Sequence, residues 1–253
     1  MSHGGGSDML TFSGRGILLD IEGTTSSVSF VYDVMFPFAR RELAAYLQTN
    51  WDSPELREAC ELISRDAGHD SFPAWVGGEP STEARRLVEG EVTRLMDGDV
   101  KATGLKQLQG LIWRAGFESG EMQAHVYEDV PPALQAWNAA GIAVQIYSSG
   151  SIAAQKLFFA HTIAGDLLHH FCGHYDTTTG PKKEAASYRK IAEFAGTPPA
   201  ELLFISDVLA ELDAASAGGL QTALCVRPGN AEVVACHAHP VVTSFAELNV
   251  VAK

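Results

Sequence analysis

The chain has 253 residues, with 18 lysines and arginines against 31 aspartates and glutamates and a formal net charge of −13. Hydrophobic residues make up 46% and mean hydropathy is +0.01, which is enough for a real core and excludes a disordered or membrane-embedded chain. The acidic balance argues against nucleic acid as a partner, because a phosphate backbone calls for a basic face. It leaves a small anionic substrate open, since a local pocket can be positive on an acidic protein.

In chain order, the stretch Met1–Met9, with Gly4-Gly5-Gly6, is set aside from fold reasoning. The first strand is Gly16-Ile17-Leu18-Leu19, ending at Asp20. It is a short continuous apolar run, as a parallel strand covered on both faces requires. A polar loop, Glu22-Gly23-Thr24-Thr25-Ser26-Ser27, follows. From about Asp33 to Gly120 the pattern is helical. Val34, Phe38, Leu43 and Leu47 share one stripe. Ser53-Pro54 opens a second helix with an N-cap and a proline at the first position. Ser81 is placed to cap a third, and a fourth runs near Gly104–Arg114.

Strand and helix then alternate. Ile142–Tyr147 reads as a strand, Ser151–Ala160 as a helix, and Phe171–His174 as a weaker strand. Glu184–Ala195 is a helix closed by Gly196. Leu202–Ile205 is a strand ending in Ser206-Asp207, and the next helix stops at Gly218-Gly219. Gln221–Val226 is a further strand, cut off by Arg227-Pro228-Gly229. This alternation implies crossovers and a parallel sheet. The expected fold is α/β: a doubly wound, Rossmann-like core from residues 14–32 and 121–253, with an all-helical cap, 33–120, inserted after strand one. No apolar run is long enough to span a bilayer and no signal-peptide pattern is present, so a soluble, cytoplasmic protein is expected. The four cysteines, Cys60, Cys172, Cys225 and Cys236, form no CxxC pair and read as reduced thiols.

Ligands of doubly wound sheets bind beyond the carboxyl ends of the strands. Strand one delivers Asp20, Glu22 and Thr24 there. The second delivers Ser148-Ser149-Gly150-Ser151 at a helix start. Gly180-Pro181-Lys182-Lys183 precedes a later helix, and the fourth strand delivers Asp207, with Glu211 and Asp213 just beyond. Each piece suits phosphoryl transfer. A carboxylate can be phosphorylated, oxygen ligands suit Mg²⁺, a helix N-terminus attracts phosphate, and a lysine neutralises the transferring group.

This order of residues resembles the haloacid dehalogenase-like hydrolases. Glu22, where most phosphatases of that superfamily carry aspartate, narrows the likeness. So do Tyr147-Ser148-Ser149-Gly150-Ser151, Ala154-Gln155-Lys156-Leu157, Ser187–Ala192, Leu105–Gly110 with Ile112-Trp113-Arg114, and Val226–Asn230. Together they resemble the enolase-phosphatases of methionine salvage, from about Gly16 to Leu248. The resemblance implies one Mg²⁺ per chain and a bifunctional reaction. In it, 2,3-diketo-5-methylthiopentyl-1-phosphate is enolised and then dephosphorylated to the acireductone, 1,2-dihydroxy-3-keto-5-methylthiopentene. Asp20 would be nucleophile and metal ligand. Glu22 would be the acid/base residue and would ligate the metal through its carbonyl; Asp207 would complete the metal set. Ser148 and Ser149 would hold phosphate. Lys182, in the Gly-x-Lys position, would bridge phosphate and nucleophile in preference to Lys183. The implied partner is the small phosphorylated diketone, with neither nucleic acid nor membrane, and the implied state is a monomer.

The inserted helices would close over the rim and supply an apolar wall for the methylthio tail. Phe36, Trp113 and Phe117 are candidates for it, although aromatics at helical spacing also read as core. Ser151, and less so Ser149, also reads as a helix cap, and Glu211 as a first-turn acid or a brace. His169-His170 and His237-Ala238-His239 lack a supporting ligand set. A phosphatase for a sugar or glycolate phosphate is the alternative within the superfamily. A dehalogenase would need neither the second acid nor a metal. A phospho-acceptor domain would be much shorter than this chain.

Overall fold

A computed structural model describes residues 9–78, 81–233 and 236–253. The chain divides into two compact units, one running up to Val31 and again from Gln123 onward, the other formed by Tyr32–Met122.

The first unit opens with β1 (Leu10–Gly14) and β2 (Gly16–Leu19). The second holds α1 (Phe36–Asn50), α2 (Pro54–Asp66), α3 (Phe72–Val76), α4 (Ser81–Asp97) and α5 (Thr103–Glu118). The first then resumes with α6 (Val130–Ala139), β3 (Ala143–Tyr147), α7 (Ile152–Ala160), β4 (Gly173–Tyr175) and α8 (Ala185–Phe194). It ends with β5 (Leu202–Ser206), α9 (Leu209–Ala217), β6 (Gln221–Cys225), β7 (Val241–Val242) and β8 (Leu248–Ala252).

Six strands form a sheet in the order β4-β3-β2-β5-β6-β7, and every pairing is parallel. The chain moves outward from β2 to β3 and β4, then returns to lay β5 on the other side of β2. The switch point therefore lies between β2 and β5. The four residues of β2 are all buried, as a central strand covered on both faces must be. On one face Leu18, Phe204 and Leu224 pack with Tyr188 and Ile191 of α8 and Leu212 and Ala215 of α9. Ile17, Leu19, Leu203 and Ile205 alternate with these and are equally buried. β1 pairs with β8 in a separate two-stranded parallel ribbon.

Several elements depart from the sequence reading. β1, α3, α6, β7 and β8 were not expected; they are short and take their order from neighbours. The weak strand at Phe171–His174 is Gly173–Tyr175, because its edge pairing with β3 starts only at Gln145 opposite Gly173. Val34 leaves the stripe of Phe38, Leu43 and Leu47. It sits in a π-helical turn, Phe30–Met35, whose wider i→i+5 pattern shifts its phase, and it is exposed. Ser53 caps α2, accepting from the Leu56 N–H at 3.2 Å. Ser81 is already the first residue of α4, and what precedes it lies outside the described residues. All four cysteines are free.

Within the helical unit, α2 and α5 cross at Gly104. A methyl group there would run into the backbone at Ile63. Gly110, further along the same helix, has open space around its Cα. Gly104→Ala is therefore expected to cost about 1–3 kcal/mol, and Gly110→Ala to gain about 0.5–1 kcal/mol of helix propensity. Thermal unfolding of the two variants should move in opposite directions from the parent.

Candidate active site

The register of the sheet builds the site. Leu19 lies opposite Ile146 on β3 and Ile205 on β5. The residues that follow these three parallel strands are Asp20, Ser148 and Asp207, and they emerge along one edge. Asp20 and Asp207 flank the switch point, where open α/β sheets leave a crevice.

Asp20 is 5% exposed. Its Oδ1 accepts from the Ile21 N–H at 2.8 Å, and its Oδ2 accepts from Lys182 Nζ at 2.7 Å. Ser206 Oγ lies 2.9 Å from the same Oδ2 and 3.3 Å from Glu211 Oε2. Lys182 Nζ is also 2.6 Å from Glu211 Oε2. One buried ammonium thus serves two buried carboxylates. Burial works against the charged lysine, but the charges of Asp20 and Glu211 outweigh it and hold the ammonium above the ordinary lysine value. Glu211 is pushed upward, first by burial and then by repulsion from Asp20, despite its contact with Lys182. The two directions agree physically, because Glu211 competes with Asp20 for a single positive charge. Asp207 rises to about 6, through burial and then the charge of Asp20.

The sequence-predicted residues are placed as follows. Ser148 is buried at the end of β3, and its Oγ accepts from the Gly150 N–H at 3.3 Å. Ser149 is exposed. Ser151 caps α7, accepting from the Ala154 N–H at 3.2 Å. Glu22 is half-buried and pairs through its backbone with Ser26. Lys183 is exposed and takes no part in the Asp20 cluster. Asp213 points elsewhere: its carboxylate is 75% exposed and lies 3.0 Å from His239 Nε2. Phe117 is 2% exposed, in the core of the helical unit, and is not a free apolar wall. Phe36 is exposed and in ring contact with Trp113 at 5.9 Å. His170 bonds to Asn138, and His239 is buried between Thr222 and Asp213.

Other residues hold the site and were missed as contributors. Tyr188 Oη donates to the Lys182 carbonyl at 2.6 Å, Tyr147 Oη to that of Gly180 at 2.8 Å, and Ser187 Oγ to that of Pro181 at 2.8 Å. Three hydroxyls so fix the lysine loop. Gln155 Nε2 donates to the carbonyls of Gly150 and Tyr175, both at 2.8 Å, and braces the loop after β3. The motif residues Tyr147, Gln155, Ser187 and Tyr188 were visible in the sequence, but only as a likeness. Their spacing carried no sign of what each would hold.

The cluster suits a hard divalent cation. Asp20 and Glu211 share the Lys182 ammonium, and the charge of Asp20 adds to burial in pushing Asp207 upward, which Lys182 offsets only in part. Among the described residues no group of three or more His, Cys, Asp or Glu side chains is arranged to hold a metal. Asp20 and Asp207 supply two carboxylates, and Mg²⁺ takes one or two from a protein when substrate phosphate and water complete its shell.

The profile of the haloacid dehalogenase-like hydrolases matches residues 15–219. Enolase-phosphatase E1 of Drosophila mojavensis is 43% identical over 93% of this chain and 95% of its own length. Enolase-phosphatase E1 of Synechococcus elongatus is 47% identical over 86% and 90%. The chain belongs to the enolase-phosphatases of the haloacid dehalogenase-like hydrolases. The UTR4 protein of Saccharomyces cerevisiae shares the fold with a TM-score of 0.75 and 34% identity, over 92% of this chain and 98% of that one. Membership of this family makes the chain a hydrolase and a phosphatase. Phosphatases of this superfamily generally use Mg²⁺, which agrees with the oxygen donors described above.

The raised Asp207 carboxyl has a consequence for stability. Its folded value, about 6, lies above the ordinary carboxyl value of 3.8. Between these the folded state binds more protons than the unfolded state, so this group's contribution falls as pH rises. Asp207→Asn removes the repulsion. In EDTA at pH 7.5 the variant should melt at a higher temperature than the parent, and the difference should shrink as pH drops below about 5. Added Mg²⁺ should raise the melting temperature of the parent and not of the variant.

Proposed function

We propose that this enolase-phosphatase converts 2,3-diketo-5-methylthiopentyl-1-phosphate to the acireductone 1,2-dihydroxy-3-keto-5-methylthiopentene and phosphate, in methionine salvage. The observation that carries this reading is the pairing of Asp20 with Lys182 at 2.7 Å, in a chain that carries Glu22 in place of the usual aspartate of the superfamily. Asp20 and Asp207, with the Glu22 carbonyl, are the residues that would hold one Mg²⁺. When bound, the ion supplies Lewis-acid neutralisation of the phosphate.

The first step removes a proton from the carbon that bears the phosphate ester, next to a carbonyl. Glu22 is the candidate base. The C–H electron pair becomes the C=C double bond, and the proton from carbon passes to the Glu22 carboxylate. The π pair of the adjacent carbonyl moves onto its oxygen, which takes a proton from solvent to complete the enol. In the second step the Asp20 carboxylate attacks phosphorus and the P–O bond to the enediol breaks. Glu22 then returns its proton to the leaving oxygen. Hydrolysis of the aspartyl-phosphate restores Asp20, with Glu22 drawing a proton from the attacking water. Lys182 steadies the Asp20 carboxylate before attack and faces the phosphoryl oxygens during transfer. Ser148 and Ser149, at the start of α7, are the candidate phosphate binders, with helix N–H groups as further donors.

Two variants separate the steps. Asp20→Asn is expected to lower phosphate release by at least about a thousandfold, measured with the diketo phosphate and Mg²⁺; turnover near the parent value would refute the covalent route. Glu22→Gln is expected to abolish deuterium wash-in at C1 as well as product formation. Unchanged exchange would remove Glu22 as the enolising base. Release of phosphate from simple sugar phosphates at equal efficiency would favour the generic phosphatase instead.

A further inference from the structure

The turn that follows β6 reaches back to the loop that carries Asp20 and Glu22. Arg227 Nε donates to the Thr24 carbonyl at 3.1 Å, and Asn230 Nδ2 donates to the Gly23 carbonyl at 2.9 Å. Two consecutive carbonyls of the loop are so held by two side chains of one turn. The turn is itself anchored. The Asn230 N–H donates to the Arg227 carbonyl at 3.1 Å. The Arg227 guanidinium lies 2.9 Å from Asp129 and stacks over Tyr127 and Phe245.

Asn230 has a second feature. Its Nδ2 also donates to the Cys225 carbonyl at 3.3 Å. With two carbonyl acceptors on one side, the amide has a single sensible orientation, and its Oδ1 must face the other way. That Oδ1 is buried and has no hydrogen-bond partner among the described residues. Gly23 tells where it faces. Gly23 has φ +69°, and a Cβ built there would lie 3.0 Å from Asn230 Oδ1 and 2.5 Å from Asp207 Cγ. The free amide oxygen and the Asp207 carboxylate thus flank the same glycine, one residue after Glu22. A buried acceptor that nothing satisfies is costly. Both oxygens lie against Gly23, beside the proposed metal ligands, and the Asn230 Oδ1 is left there as an acceptor for water.

We infer that Asn230 is a positioning residue for the divalent-cation site, fixing the Gly23 carbonyl through its NH₂ and offering its Oδ1 to water on the Asp207 side. The inference rests on the metal reading given under the proposed function. It concerns a residue that need not touch the substrate and that acts through the loop and through Asp207.

The test is calorimetric titration of Mg²⁺ into the metal-free full-length chain, for the parent and for Asn230→Ala. Asn230 is only half-buried, so the variant should fold. Its Mg²⁺ affinity is expected to fall roughly tenfold, as for other residues that orient metal ligands. KM for the phosphate ester at saturating Mg²⁺ should stay near the parent value. If the variant is less stable, the rise in melting temperature on adding Mg²⁺ still reports its affinity; that rise should be smaller than in the parent. An unchanged affinity, whatever the melting temperature in EDTA, would make Asn230 a structural brace alone and overturn the inference. Failure of the parent to bind Mg²⁺ would overturn the metal reading itself and this inference with it. The parent titration thus tests the first and the variant the second.

Discussion

Asp20, Glu211 and Asp207 share a region nearly closed to water, and a single ammonium, Lys182, is placed among them. Burying like charges together is unfavourable unless positive charge is supplied. Lys182 bonds to two of the three and cannot neutralise both. The residual negative charge is what the proposed reading assigns to a hard cation and, through it, to phosphate. The same crowding explains why the carboxylates differ in character. Asp20 accepts from Lys182, from Ser206 and from the N–H that follows it. Asp207 and Glu211 are pushed toward the neutral form by burial and by Asp20.

Such a cluster keeps its geometry only if the backbone under it is rigid. The polar contacts around it serve that purpose. Tyr147, Ser187 and Tyr188 hold three carbonyls of the lysine loop, Gln155 holds two beneath the loop after β3, and Arg227 and Asn230 hold two of the loop after β2. Most of these donors are buried and bond to main-chain oxygens rather than to one another. Each donor so placed favours one arrangement, because letting go would leave a polar group unpaired in a medium of low dielectric. The helical unit is organised differently. Its core is aliphatic and aromatic, and its ion pairs, such as Glu91 with Arg94 and Arg40 with Asp97, lie at the surface, where they contribute little.

The order of chemistry-bearing residues was legible in the sequence: Asp20, Glu22 and Thr24, then Ser148, Lys182 and Asp207. It was legible because a parallel sheet sends the end of every strand to one edge, and apolar runs such as Gly16–Leu19 and Leu202–Ile205 announce those ends without reference to anything distant. The helical character of the insert and the N-cap at Ser53 were readable for the same reason, since periodicity and capping are local. What the sequence could not settle was decided by contacts between segments far apart in the chain. Glu211 read equally as a helix-end acid until α9 was packed so that its carboxylate met Lys182. Arg227 read as part of a strand terminator and Asn230 only as part of a family likeness, yet they hold a loop some 200 residues away. Phe117 matched Phe36 and Trp113 in type, and only helix packing put it inside. Val34 fell out of phase through a π-helical turn that no periodic pattern encodes. Local rules fix which groups a segment carries and roughly where it ends. Register, crossing and burial fix which of those groups meet, and at this site the meeting of charges is the chemistry.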